Sequence, residues 1–138
     1  MTVVVERSIH DVFEFCRDFE NFPKIVDVPL EVQDFQDGRS HWTVRSPSGQ
    51  SIEWDATVTK YVPNSVVGWQ SVPKSLVHAG GLMRFAPLSD KETRVDIALT
   101  YRPLNTGLAE ALRSLVHPTS ARRLRSEVAH ASRQLGQG

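Results

Sequence analysis

The sequence predicts an α+β protein, with an antiparallel sheet of six to seven strands covered on one face by a long C-terminal helix. Three observations carry this. Apolar residues recur at period two from Leu30 to Tyr101. Helical periodicity brackets that region on both sides. Turn signals punctuate the alternating runs at hairpin spacing. The chain has 138 residues, which suits a single domain over 1–138 with a real core.

The first run, Thr2 to Glu6, is β-branched and predicts a strand. Ser8 followed by Asp11 is a capping-box pattern that starts a helix. Ile9, Val12, Phe13 and Cys16 give that helix one apolar face. The string DFENFP ends it and starts a second short helix, with Pro23 expected in a first turn where its missing N–H costs nothing. Phe19, Phe22 and Ile25 are expected to pack inward.

Leu30 and Val32 then alternate with Glu31 and Gln33, and Phe35 falls out of phase, so a bulge or strand end is expected there. Asp37-Gly38 is a hairpin signal. Arg39 to Arg45 alternates, with Trp42 and Val44 on one face. A turn is expected at Pro47–Gly49. Ser51 to Trp69 predicts a long hairpin around Pro63-Asn64, with Ile52, Trp54, Ala56 and Val58 facing inward and Val67 and Trp69 sharing a face. Pro73-Lys74 marks a turn, and Leu76 to Phe85 a strand. Gly80-Gly81 inside that strand signals a bulge or a close backbone approach. Ser89-Asp90-Lys91 turns the chain into a strand over Glu92–Tyr101, with Val95, Ile97, Leu99 and Tyr101 on one face. Beyond Pro103 a helical stripe runs through Leu104, Leu108, Leu112 and Leu115. Pro118 is expected to break or kink it before Ala121, Leu124, Val128, Ala131 and Leu135 continue it. This helix is the one element long enough to cover the sheet.

Sixteen basic residues balance 16 acidic ones, which argues against a nucleic-acid module. One cysteine excludes an internal disulfide and fits a reducing cytosol. No apolar run approaches the ~20 residues of a membrane span, and MTVVVERSIHD lacks a signal pattern, so a cytoplasmic protein is expected.

The strings DFENFP, DGRSHWTV and SIEWDATVTKYVPNSVVGW, with the amphipathic helix after TYRP, resemble the START-like superfamily, also labelled polyketide cyclase/dehydrase or SRPBCC. The resemblance covers nearly the whole chain. It implies a helix-grip fold, in which a curved sheet grips the C-terminal helix around a cavity. Members bind lipids, sterols, polyketides, quinones and plant hormones, and some are enzymes, so fold alone does not assign the activity.

Under that resemblance, Trp42, Trp54, Trp69, Met83 and Phe85 from the sheet, and Leu112 and Leu124 from the helix, are expected to wall a pocket for a hydrophobic ligand. Tyr101 belongs to the same aromatic set. The bland reading of these residues is ordinary core. Cyclases of this superfamily carry polar and basic groups on the strand after the tryptophan, where this chain has Ala56 and Val58. Apolar groups cannot polarise a carbonyl or move a proton. His78, before Gly80-Gly81, is the one titratable candidate for catalysis, against a rim role. Ser71 shares the phase of Trp69, but without a G-x-S-x-G string a Ser71–His78–Asp55 hydrolase has little support. The spacing of His10, His41, His78, His117 and His130 suggests no metal site, and no cofactor is implied. Cys16 reads as a buried, inert thiol. Arg122, Arg123, Arg125 and Arg133 read as a solvated helix face rather than a lipid-binding patch.

The expected function is binding or transport of a small hydrophobic molecule, without nucleic acid or an integral membrane segment. The alternatives are a cyclase/dehydrase-type enzyme and a protein-interaction module. A homodimer is compatible with the sequence.

Overall fold

The computed structural model describes residues 1–25, 30–45, 51–75, 77–102 and 118–136. Its elements are β1 (Thr2–Val5), α1 (Ile9–Cys16), a 3-10 helix (Phe19–Ile25), β2 (Leu30–Asp34), β3 (Arg39–Arg45), β4 (Ser51–Val62), β5 (Val66–Ser71), β6 (His78–Ser89), β7 (Glu92–Arg102) and α2 (Pro118–Gly136). The sheet has seven strands in the order β1-β7-β6-β5-β4-β3-β2, antiparallel throughout. From β2 to β7 every neighbour in sequence is a neighbour in space. Only β1 pairs non-locally, on the free edge of β7.

Local chemistry places the boundaries. The Ser8 side chain accepts the Asp11 N–H at 3.3 Å and caps α1. Pro23 sits inside the 3-10 helix rather than in a first helical turn. β2 ends at Asp34, because Gln36 (φ 61) and Gly38 (φ 94) take left-handed backbone and turn the chain. Phe35 is left exposed, so a strand end rather than a bulge explains its phase. At the next hairpin Asn64 is left-handed (φ 59), and the Ser65 N–H closes the turn on the Val62 carbonyl at 3.0 Å. The bulge lies elsewhere, between Val58 and Lys60. β6 extends past Phe85 to Ser89, and its register passes unbroken through Gly80-Gly81.

One face of the sheet is apolar across all strands. It carries Val3, Val5, Leu30, Val44, Trp42, Trp54, Ala56, Trp69, Met83, Phe85, Val95 and Ile97, all buried. The helices lie on that face. α2 contributes Leu124 and Val128 to the core, and its main contacts are with the 3-10 helix, α1 and β1. α2 thus lies on the apolar face, where the sequence reading expected the terminal helix, while the expected helix over 104–117 falls outside the described residues. Among the described residues, Phe19 and Phe22 of the 3-10 helix pack directly on Trp42 and Trp69. α2 starts at Pro118, a position where the missing N–H costs nothing. The expected turn at Pro47–Gly49 and the stripe through Leu104, Leu108, Leu112 and Leu115 lie outside the described residues. No described helix is long and apolar enough to cross a membrane.

Candidate functional site

The site is built from an aromatic cluster and the pocket beside it. The register sets Trp42 of β3 opposite Trp54 of β4, and their rings stack 5.9 Å apart at 12°. Trp69 of β5 stacks on the other side of Trp42, 6.2 Å away at 7°. Ala56, buried on β4, pairs with Ser40 of β3 on one side and Ser71 of β5 on the other. The Trp42 Nε1–H donates to Ser40 Oγ at 2.9 Å, which satisfies the one polar atom of the buried ring. Phe19 stands 5.1 Å from Trp69 and 5.7 Å from Trp42, and Phe22 is 5.6 Å from both.

These rings pack against one another on the face where the sequence reading expected a pocket wall. Trp42, Trp54, Trp69 and Phe85 are buried, and Met83 has none of its surface within reach of water. Met83 therefore lines no water-sized void. Phe85 packs edge-on against Phe13 of α1, with centroids 5.2 Å apart. Leu124 is buried on α2, while Leu112 and the Tyr101 side chain lie outside the described residues.

A pocket of about 310 Å³ opens next to the cluster. Phe19, Val58, Tyr61 and Val67 make its apolar wall, and Arg17, Asp34 and Gln36 stand around it. Val58 is directly opposite Trp69 across the β4–β5 ladder, so the pocket backs onto the tryptophan stack. Its polar groups are committed to structure. The Asp34 carboxylate accepts the N–H groups of Phe19 (3.4 Å) and Gln36 (2.9 Å). Arg17 pairs with Glu14 at 2.9 Å, and that hydrogen bond holds the guanidinium pKa above its ordinary value. Val58 is the one predicted site residue in this pocket. Tyr61 escaped the sequence reading because the bulge after Val58 reverses the phase of β4 and pairs Tyr61 with inward-facing Val67. Period-two counting cannot see such an insertion.

His78 does not reach this interior. It is exposed, and its phase along β6 is opposite to that of Ala79, Met83 and Phe85. Of the two readings of His78, an acid/base group inside the cavity or a surface or rim histidine, the exposed position agrees with the second. Ser71 is buried beside the inner face, and its Oγ accepts the Ala79 N–H at 3.1 Å. Asp55 lies on the outer face against His41. Ser71, His78 and Asp55 are therefore not assembled. Cys16 is buried, and burial pushes its thiol pKa up to about 12. The described residues contain no cluster of three His, Cys, Asp or Glu side chains able to hold a metal ion.

The profile of a family described as polyketide cyclase/dehydrase and lipid transport matches residues 1–132. This chain belongs to that family. Its fold is the START-like helix grip, and the polyketide cyclase/dehydrase and lipid transport family is one whose members handle hydrophobic molecules. The crystal structure of DR_A0006 from Deinococcus radiodurans is similar, with a TM-score of 0.67 and 27% identity over 82% of this chain and 88% of that one. A START superfamily protein from Mycobacterium smegmatis gives a TM-score of 0.65 at 18% identity, covering 94% and 95%. The Zhui aromatase/cyclase from Streptomyces sp. R1128 gives 0.61 at 17%, covering 98% and 93%. At the last two identities the likeness is one of fold.

Proposed function

We propose that this family member binds and carries a small hydrophobic molecule, taken up at the Phe19–Val58–Tyr61–Val67 pocket and bedded against the tryptophan cluster. One observation carries the reading. Among the described residues the buried polar side chains are all hydroxyls: Ser40, Thr43, Ser71, Thr93 and Ser120. They are engaged on the protein itself, and Thr43 donates to the Glu53 carboxylate at 3.3 Å. Ser40 accepts from Trp42, Ser71 accepts from Ala79, and Thr93 donates to the Arg7 carbonyl. An interior of this kind rewards apolar surface, and the Asp34 carboxylate and Arg17 guanidinium beside the pocket are held by bonds to the protein itself. Each 100 Å² of apolar ligand surface removed from water contributes about 2.5 kcal/mol before ordering costs. The pocket is small, so a larger ligand needs Phe19 to turn aside and open the space over Trp69. A buried free thiol supports a reducing, cytoplasmic setting.

Native mass spectrometry of freshly purified protein should show a co-purified hydrophobic molecule. Titration with the neutral fluorophore N-phenyl-1-naphthylamine should quench tryptophan emission saturably. Absence of both, with a long-chain fatty acid, a polycyclic aromatic and a quinone also silent, overturns the reading. Turnover of a polyketide-like substrate would replace it with the cyclase/dehydrase reading.

A further inference from the structure

The opposite face of the sheet carries a second concavity, of about 440 Å³, at the end where β6 begins. It is lined by Gln70, His78, Ala79, Thr100 and Arg102. Strand register assembles it. His78 is directly opposite Arg102, and Gly80 pairs with both Gln70 and Thr100 on its two sides. All four polar side chains point outward and are exposed. Among the described residues the Arg102 side chain makes no hydrogen bond or ion pair, and no carboxylate lines the depression. A guanidinium, an imidazole, a hydroxyl and an amide therefore line one depression, with no carboxylate among its lining residues.

We propose that this depression binds the phosphate group of a small phosphate ester. Arg102 supplies the charge and paired N–H donors. Thr100, Gln70 and His78 add donors from other directions, which suits a tetrahedral oxyanion better than a planar one. The volume exceeds what a bare ion needs, so the phosphate arrives on a larger body. The site lies across the sheet from the hydrophobic pocket and stands or falls independently of it.

The test is nuclear magnetic resonance on the full chain with inorganic phosphate and then glycerol 3-phosphate at constant ionic strength. Saturable shifts confined to the Arg102 Nε–H, the His78 ring and their neighbours are expected. Arg102→Gln should weaken binding about tenfold or more while leaving the near-ultraviolet circular dichroism of the tryptophan cluster unchanged. Should that variant misfold, Thr100→Val and His78→Gln at the same surface serve, each weakening binding. Vesicles of phosphatidylcholine with phosphatidic acid separate the two sources of the group. Sedimentation that depends on Arg102 assigns a lipid headgroup, and binding of glycerol 3-phosphate alone assigns a free ester. No saturable shift with any of the three, or equal shifts with chloride, overturns the proposal.

Discussion

The indole of Trp69 occupies the space that a side chain at Gly81 would need. The two residues are direct cross-strand partners, and a Cβ at Gly81 would stand 2.5 Å from the ring carbons Cη2 and Cζ2 of Trp69. Leu99, the partner on the other side, would be 3.0 Å away. The glycine is thus a seat for the ring, and the ring is the outer member of the stack that fills the sheet.

Gly81→Ala should therefore destabilise the protein by about 1–3 kcal/mol, the cost of overpacking a fitted site. Urea unfolding measures it. The loss should shrink in the background of Trp69→Leu, because the two changes share one contact. An additive result would show that the ring and the glycine are not coupled.

Trp42 shares both parallel contacts of the tryptophan stack, whereas Trp54 and Trp69 each make one with it. Near-ultraviolet circular dichroism should show this asymmetry. Trp42→Phe should remove most of the coupled indole signal, and Trp54→Phe or Trp69→Phe a smaller part. Truncation to alanine at position 42 should cost about 3–5 kcal/mol in unfolding experiments. Equal spectral losses from all three phenylalanine variants would contradict the stacked arrangement.

His41 lies between two carboxylates on the outer face, with Nδ1 2.8 Å from Asp55 and Nε2 3.2 Å from Glu53. Both ring nitrogens face acceptors, so the geometry favours the imidazolium. The hydrogen bond donated to Asp55, and then that donated to Glu53, raises its pKa above the ordinary 6.5. The sign follows from linkage. The folded state binds this proton more tightly than the unfolded chain does, so the contribution is present below about 6.5 while both carboxylates are ionised. It fades as pH rises through the higher folded value. The His41 side chain is 35% exposed and its partners more so, so solvent screening limits the effect to a few tenths of a kcal/mol up to about 1. Subtracting the stability–pH curve of His41→Gln from that of the parent isolates it. A difference that grows with pH would reverse the assignment.

Val58→Trp should fill the 310 Å³ pocket from its sheet wall. The affinity for N-phenyl-1-naphthylamine should fall at least about tenfold, equivalent to about 1.4 kcal/mol, with unfolding little affected because Val58 is only partly buried. Unchanged affinity would move the binding site away from this pocket.

Much of this protein was legible in residue order alone. Alternation from Leu30 to Tyr101 determined the strands and which side chains of each share a face, since period two is a local property of the backbone. Ser8, Asp37-Gly38 and Pro63-Asn64 announced a cap and two turns through their own side-chain chemistry. Tertiary structure decided what the apolar face is packed with. Phe19 and Phe22 pack on Trp42 and Trp69 because the 3-10 helix meets them, a relation between segments more than fifteen residues apart that no local period encodes. It also decided the direction of Tyr61, through a bulge visible only in the ladder, and the meeting of His41 with Asp55 and of His78 with Arg102, through cross-strand register. A period tells which face a residue takes, and only pairing tells what it meets there.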